Sequence, residues 1–273
     1  MDDDRPGQPG PTAPGLPSGA PGPEDSPYPV RRAGRNQKPP GRRRLRRLAA
    51  GLVLAAALGS VLAVALWRFV PPPLSGVMAE RWLEARLHGR AYRLDYRWVP
   101  RRDIAVSLPL AVVAAEDQRF FLHHGWDREA ILDAMEEARE GRRRRGASTI
   151  SQQVAKNLFL WSDRSWLRKG LETWYTFWIE LLWPKERILE VYLNLAEWDE
   201  GVFGAGAACR RHFDTTPREL DRARAARLAA VLPSPLRMDA GHPSGYVLRR
   251  QGQIQAQMNQ LEGSAFTAPL RRW

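Results

Sequence analysis

Cysteine and histidine are scarce in this chain of 273 residues, which contains one cysteine, Cys209, and five histidines. A single thiol cannot form an intramolecular disulfide, and it cannot supply a multi-cysteine zinc or iron–sulfur site. The histidines show no HExxH or similar ligand spacing. The sequence therefore predicts neither a disulfide-stapled scaffold nor a structural metal, and it indicates no required cofactor.

Nucleotide-binding motifs are also missing. There is no Walker or GxGxxG pattern, which argues against ATP and nicotinamide cofactors as ligands. The chain carries 42 Lys and Arg against 30 Asp and Glu, but nine of the basic residues cluster between Arg31 and Arg47, directly before an uncharged run. Because basic clusters in that position are typical of membrane topology signals, we predict a membrane protein with no nucleic-acid partner.

The first 70 residues predict a tail followed by a membrane anchor. Residues 1–47 are rich in Pro, Gly and Arg and have few large apolar side chains, so we expect a disordered tail. Leu48–Trp67 is an apolar run in which only Ser60 is polar, long enough to cross a bilayer as a helix. Residues 48–70 are therefore predicted to form one uncleaved transmembrane anchor. Because the basic cluster stays inside the cell, we expect the tail in the cytoplasm and residues 71–273 outside it.

The exported part is predicted to be one compact α-helical domain. Alternating aromatic and aliphatic residues over 92–98 predict a single short strand. Capping-box patterns predict helix starts at Thr149 with Gln152 and at Thr216, and Ser165 predicts a third start. No internal repeat or second hydrophobic core is visible. The predicted fold class is therefore mainly α.

Two helices combine apolar and charged residues in a way that indicates a site. The first is the apolar run Ala111–Ala115, which leads directly into Glu116; a carboxylate there is partly desolvated and suited to accept a proton. The second is the aromatic helix 166–183. It carries two cations and a carboxylate on one face: Arg168, Lys169 and Glu172. On spacing alone, the alternative for Glu116 is a solvated helix end, and the alternative for Glu172 and its cations is a structural ion pair.

A basic loop forms the third candidate segment. Arg142–Arg145 and Gly146 precede a helix start, 148–153, that is rich in hydroxyls and amides. Free backbone N–H groups and the positive end of a helix favour an anion such as a phosphate. A mobile, solvated connection is the alternative interpretation.

These segments belong to five motifs that follow one another between residues 116 and 213. They are Glu116-Asp117-Gln118-Arg119-Phe120 with His123 and Gly125; Gly146–Gln153 with Lys156 and Asn157; Arg168 and Lys169 with Glu172; Lys185 with Ile188–Asn194; and Gly201, Gly204, Ala208 and Phe213. In this order they resemble the motifs of the peptidoglycan glycosyltransferases of glycosyltransferase family 51, most closely those of its monofunctional transglycosylases from Gram-negative bacteria. The resemblance extends from about residue 70 to the end of the chain.

The resemblance implies a mainly α, lysozyme-like domain with a small jaw lobe against the membrane. It also implies a reaction in which lipid II units are joined into linear β-1,4 glycan strands. In that reaction the 4-hydroxyl of an acceptor GlcNAc attacks the anomeric carbon of a MurNAc, which inverts and releases undecaprenyl pyrophosphate. Bifunctional members carry a transpeptidase domain after this one; because this chain ends at Trp273, only glycan polymerisation is expected.

The family motifs also imply roles for single residues. Both expected catalytic residues are glutamates: Glu116 matches the general base, and Glu172 matches the second essential carboxylate, on the side of the donor pyrophosphate. Residues expected to bind substrate are Asp117, Phe120, His123, Ser148, Thr149, Gln152, Gln153, Lys156, Asn157, Arg168 and Lys169. Residues expected to hold the site together are Gly125, Glu190, Tyr192, Asn194 and Gly204. No metal ligand set is expected, although a divalent cation stays open for this family.

The expected partners are lipid II, the growing lipid-linked glycan and the membrane bilayer, with cell-division or cell-wall synthesis proteins as further candidates. The resemblance places the chain in a bacterial inner membrane with its catalytic domain in the periplasm. A membrane-anchored muramidase stays open, because two carboxylates can also cleave a glycosidic bond. An inactive scaffold that binds lipid II stays open as well. Cations beside Glu172 favour a pyrophosphate leaving group over a neutral sugar, and the presence of both glutamates argues against the scaffold.

Overall fold

The structure is a computed structural model that describes residues 40–139, 148–163 and 165–273. Most of the predicted tail and the basic loop Arg142–Arg145 lie outside these described residues. The chain divides into two compact units, Met1–Ala50 and Gly51–Trp273. The helices and strands from residue 51 onward belong to the second unit.

Helices make up most of the described chain, and the strands are short. The α helices are α1 (Pro40–Trp67), α2 (Gly76–Leu87), α3 (Ser107–Glu116), α4 (Arg128–Arg139), α5 (Ile150–Phe159), α6 (Trp166–Leu182), α7 (Lys185–Leu195), α8 (Gly204–Phe213), α9 (Arg222–Val231) and α10 (Gly245–Leu261). Short 3₁₀ helices lie at Arg101–Asp103, Pro217–Glu219 and Ala265–Arg272. The predicted mainly α class is confirmed.

Three short strands form one small sheet. They are β1 (Asp95–Tyr96), β2 (Glu197–Asp199) and β3 (Val202–Phe203), in the order β1-β3-β2. β1 runs parallel to β3, with Asp95 opposite Val202, and β2 runs antiparallel to β3. The strand predicted over 92–98 is thus only two residues long. Among the described residues it forms backbone pairs only with β3, which is equally short.

The apolar helix α1 contains the predicted membrane span. Its segment Arg44–Trp67 is long and apolar enough, by length and composition, to cross a membrane. The end of this helix is bonded to the following domain: Trp183 Nε1 donates to the Val64 carbonyl at 2.8 Å, and Arg187 Nη2 donates to the Trp67 carbonyl at 2.7 Å. The end of the apolar helix is therefore held against α6 and α7.

Helix α3 lies at the centre of the core. Every residue from Ser107 to Ala114 is buried, and α3 packs against α9 and α10. Because full burial of an aliphatic side chain contributes roughly 1.5–3 kcal/mol, the run Leu110–Ala114 holds this helix firmly. Glu116, the last residue of α3, is positioned by that packing.

Two of the three predicted helix starts are confirmed. Thr149 caps α5 in a complete capping box with Gln152, and Ser165 caps α6 by accepting from Arg168 N. The start predicted at Thr216 is wrong as an α-helix start: a single 3₁₀ turn follows, and Thr216 makes no side-chain bond to the backbone. The turn ends because the next residue, Leu220, enters the core, and α9 begins instead after its own cap, Asp221.

The C-terminal end of α7 fastens two neighbouring segments. Asn194 accepts from Val99 N at 2.8 Å and donates to Val99 O at 2.9 Å. Glu190 accepts from Arg101 N at 2.9 Å. Gly204 has φ +81°, and a Cβ at this position would lie 2.6 Å from the Asn194 carbonyl oxygen. These contacts make α7 a fixed support for the side chains that it points toward α5.

Candidate active site

Glu116 lies where the buried apolar helix α3 ends. Its Oε2 accepts a hydrogen bond from Gln153 Nε2 of α5 at 2.9 Å. Burial raises the pKa of Glu116 above its ordinary value, and this is opposed by the Gln153 hydrogen bond and by the positive charge of Arg250. A carboxylate with a raised pKa and a neutral amide partner is suited to accept a proton near neutral pH.

Gln153 is itself held by α7. The Tyr192 hydroxyl donates to Gln153 Oε1 at 3.3 Å, which leaves the Gln153 amide N–H facing Glu116. Burial, together with the negative charges of Glu116 and Asp117, raises the pKa of Tyr192 well above its ordinary value. Tyr192 therefore stays protonated and keeps its donor role.

Glu172 has different surroundings. Its side chain is buried in α6, Arg168 Nη1 lies 2.6 Å from its Oε2, and Lys169 Nζ contacts its Oε1. The Nε of Arg168 is also buried, and it has no hydrogen-bond partner among the described residues. The donor capacity of this Nε is therefore not used by the ion pair with Glu172.

Lys156 of α5 interacts electrostatically with both glutamates. Burial lowers the pKa of Lys156, and the nearby charge of Glu172 opposes that change. Gln153, Lys156 and Asn157 share one face of α5, and all three line a cavity of about 350 Å³. The helix α5 thus connects the surroundings of the two carboxylates.

Asp117 and His123 join the turn after α3 to the start of α5. Asp117 Oδ1 lies 2.9 Å from His123 Nε2, and Asp117 Oδ2 accepts from Ile150 N at 3.0 Å. Thr149 Oγ1 donates to the Gly125 carbonyl at 2.8 Å. Gly125 has φ +87°, and a Cβ there would lie 2.8 Å from Thr176 Cγ2, so glycine is required for this close approach.

Several residues predicted to bind substrate have internal partners. Phe120 is fully buried, and Lys185 Nζ lies 4.4 Å from its ring centroid. Gln152 is buried and accepts from Thr149 N at 3.2 Å. Ser148, in contrast, is exposed just before the cap of α5. A direct role in substrate binding stays a prediction for these residues.

The same turn contains a group that could hold a cation. One ligand atom from each of Asp117, His123 and Asp127 lies within 4.8 Å of the others. These three residues have no recognised ligand spacing in the sequence, so the motifs did not predict this group. Asp127 already accepts from Glu129 N and Ala130 N, each at 3.1 Å, so its carboxylate also stabilises the start of α4.

Arg250 is a residue near the site that the sequence motifs did not predict. It lies on α10, its Nη2 donates to the Ala115 carbonyl at 3.2 Å, and its positive charge opposes the rise that burial causes in the pKa of Glu116. Arg250 follows the last motif in the sequence by 37 residues, since that motif ends at Phe213. Only the packing of α10 against α3 brings it to this position.

The domain is thus mainly helical and holds two differently surrounded glutamates, and Lys156, which interacts with both, lines a cavity. Residues 84–259 match the transglycosylase family model. The match spans most of the chain, and the chain belongs to the transglycosylase family.

Similar curated proteins indicate a more specific enzyme class within this family. The chain is 55% identical over 214 residues to the biosynthetic peptidoglycan transglycosylase of Xylella fastidiosa strain M12, covering 78% of this chain and 88% of the relative. It is 53% identical over 226 residues to the protein of the same name from Pseudomonas entomophila strain L48, covering 83% and 95%. It is also 53% identical over 232 residues to that of Pseudomonas syringae pv. tomato strain DC3000, covering 84% and 98%. The predicted enzyme class, a peptidoglycan glycosyltransferase, is confirmed, and the apolar helix α1 agrees with membrane anchoring.

Proposed function

We propose that this chain polymerises lipid II into linear β-1,4 glycan strands by inverting glycosyl transfer, with release of undecaprenyl pyrophosphate. The observation that carries this proposal is the difference between the surroundings of the partly buried Glu116 and the buried Glu172. Glu116 has a raised pKa and a neutral amide partner, whereas Glu172 is flanked by two cations. The surroundings of Glu116 suit a general base, and those of Glu172 suit the binding of an anionic leaving group.

On the acceptor side, Glu116 acts as the general base. Its carboxylate takes the proton from the 4-hydroxyl of the acceptor GlcNAc while that oxygen attacks C1 of the donor MurNAc. The bond between C1 and the pyrophosphate oxygen breaks, and its electron pair leaves with the pyrophosphate. Attack opposite the leaving group inverts the anomeric centre. Gln153 and Tyr192 support this role by fixing the position of the carboxylate.

On the donor side, cations stabilise the charge that grows on the pyrophosphate. Arg168 offers its buried Nε, Lys169 is half-exposed beside it, and the Lys156 side chain lies at the cavity wall. Fixed positive groups are most effective where water is excluded and charge develops in the transition state. Glu172 orients Arg168 and Lys169 rather than reacting itself.

The membrane-facing side is proposed to lie where large apolar side chains are exposed. On α2 and α6 these are Trp82, Leu83, Leu87, Trp166, Leu167, Phe177 and Leu181. The side chain of Trp174 also donates to Ser60 of the apolar helix α1, at 3.0 Å. A lipid-linked substrate would reach the site from this side. We propose that the N-terminus is cytoplasmic and that residues 71–273 lie in the periplasm of a bacterial inner membrane.

The proposed chemistry needs no cofactor. A divalent cation near Asp117, His123 and Asp127 would act on the turn that follows α3 rather than on the pyrophosphate cations. Loss of polymerisation on treatment with EDTA, restored by Mg²⁺, would contradict the proposal that none is required. Recruitment by cell-division or other cell-wall synthesis proteins stays a prediction.

The test is gel analysis of the products that the purified full chain makes from labelled lipid II in detergent. We expect a ladder of long glycan strands from the wild type and none from Glu116→Gln or Glu172→Gln. Glu262→Gln is the matched control, since Glu262 is an exposed glutamate paired with Arg222 on the surface. It should give the wild-type ladder.

The same experiment separates the two alternatives. Shortening of added glycan strands without polymer formation would favour a membrane-anchored muramidase. A folded wild type that binds lipid II but makes no polymer would favour an inactive scaffold. Either result would overturn the proposed polymerase.

A further inference from the structure

The cavity beside α5 has a second group of polar side chains that the reaction described above does not use. Besides Lys156 and Asn157, its lining includes Arg81 of α2 and Glu197 of β2. Arg81 Nε lies 3.5 Å from Glu197 Oε2, and the Glu197 side chain is 11% exposed. Two elements that are distant in sequence thus bring a carboxylate and a guanidinium to the wall of this cavity.

Three neighbouring buried polar atoms have no hydrogen-bond partner within the part of the chain that the structure describes. They are Glu197 Oε1, Arg81 Nε and the hydroxyl of Tyr92. Burial raises the pKa of Tyr92 to about 12, with a contribution from the negative charge of Glu197. A buried polar atom without a partner is unfavourable. Two of these atoms, Glu197 Oε1 and Arg81 Nε, belong to residues that line the cavity, which indicates that a ligand group or water satisfies them.

The chemistry of these atoms restricts what fits. Glu197 Oε1 is an acceptor and needs a donor, whereas Arg81 Nε is a donor and needs an acceptor. An anion would be repelled by Glu197, and a cation would be repelled by Arg81. A neutral group with one donor and one acceptor satisfies both, and a hydroxyl or an acetamido group of an amino sugar has this character.

We propose that Arg81 and Glu197 form a sugar-binding subsite that recognises a hydroxyl or acetamido group of the lipid-linked glycan. The proposal rests on the proposed function, because it takes the sugar from that substrate. Lys156, in the same cavity lining, suits the negatively charged pyrophosphate end of the ligand. The carboxylate of Glu197 suits the uncharged sugar end.

Binding measurements on the full chain in detergent test this subsite. Two ligands are compared: lipid II, which has the sugars, and undecaprenyl pyrophosphate, which lacks them. Because hydrogen bonds to charged groups contribute about a factor of ten or more in affinity, Glu197→Leu should weaken lipid II binding at least about tenfold. Binding of undecaprenyl pyrophosphate should change by less than about twofold, on the same reasoning.

Controls separate recognition from folding. Asp199→Asn is the matched control, since Asp199 lies on the same strand but pairs with Arg211 outside the cavity lining; it should bind both ligands like the wild type. If Glu197→Leu lowers the Tm, the double variant Arg81→Gln with Glu197→Gln removes both charges together. This double variant is also expected to weaken binding of lipid II but not binding of undecaprenyl pyrophosphate.

Two outcomes would overturn the subsite. One is unchanged lipid II binding by both variants, which means that water alone satisfies these atoms. The other is equal loss for both ligands, which means that Glu197 only supports the pyrophosphate site. The proposed function fails separately: a wild type that binds lipid II without polymerising it refutes the polymerase and leaves the subsite to be judged by the binding ratio.

Discussion

The C-terminal end of α3 and the first turns of α6 each hold a glutamate with little access to solvent, but the groups around the two carboxylates differ. At Glu116 the nearest partner is the neutral amide of Gln153. At Glu172 the nearest partners are the cations Arg168 and Lys169. Burial alone therefore does not assign a role: a carboxylate without a paired cation is suited to take a proton, whereas one between cations organises positive charge.

Replacing Glu116 should give the largest effect on turnover. In Glu116→Gln the base is lost while the size of the side chain is kept, so kcat should fall by about 10²–10⁴. Initial rates with lipid II at saturating concentration measure this. A variant that keeps more than about a tenth of the wild-type kcat would show that Glu116 is not the base.

Removing one of the two cations that flank Glu172 should give the next largest decrease in kcat. Arg168→Met deletes a buried guanidinium that is proposed to stabilise the leaving group, so kcat should fall about 10²-fold. Lys169→Met is the comparison, because the Lys169 side chain is 45% exposed against 11% for Arg168. It should lower kcat less. Equal effects of the two changes would contradict a special role for the buried donor.

The two glutamates should also differ in their effect on stability. The pKa of Glu116 is higher in the folded state than in the unfolded state, so the folded protein binds this proton more tightly. As the pH rises from the unfolded-state pKa to the folded-state pKa, the protein loses the stability that this proton contributed. Glu116→Gln should therefore raise the Tm at pH 7.

Glu172→Gln should lower the Tm, because it leaves buried Arg168 without its partner; the loss is about 1–3 kcal/mol, less than for a fully buried pair because Lys169 is half-exposed. Calorimetry of both variants checks the opposite signs. Shifts of the same sign in the two variants would contradict the contrast between the two surroundings.

The smallest predicted effect concerns pH. The Gln153 hydrogen bond lowers the raised pKa of Glu116, so Gln153→Leu should move the acidic limb of kcat/KM to higher pH. The charges that also face Glu116 are Arg250, Asp117 and Lys156, and they are unchanged in this variant. Tyr192→Phe should shift the limb in the same direction by less, because it only frees the amide that Tyr192 holds. An unchanged limb in both variants would remove Gln153 and Tyr192 from the support of the base.

Local patterns predicted much of the fold but not all of it. The caps Thr149 and Ser165 were predicted because a capping residue and its helix are close in sequence. The pattern at Thr216 failed because the buried position of Leu220 ends the turn. Propensity favours a helix start, but core packing decides how far the helix continues.

The site was predicted only in part, for a similar reason. The motif residues on α3, α5 and α6 were found because each motif is a short segment. Arg250 was missed because its contact with α3 joins two distant parts of the chain. The Arg81 and Glu197 pair, which connects α2 to β2, was missed for the same reason.

The sequence by itself determined the apolar anchor, the helical class and the identity of the charged motifs, because hydropathy, capping and motif spacing act over neighbouring residues. The tertiary structure decided which amide faces Glu116, which cations flank Glu172 in the folded protein and which polar atoms meet at the cavity. Electrostatics and burial depend on distances through space, and those distances exist only after the helices have packed.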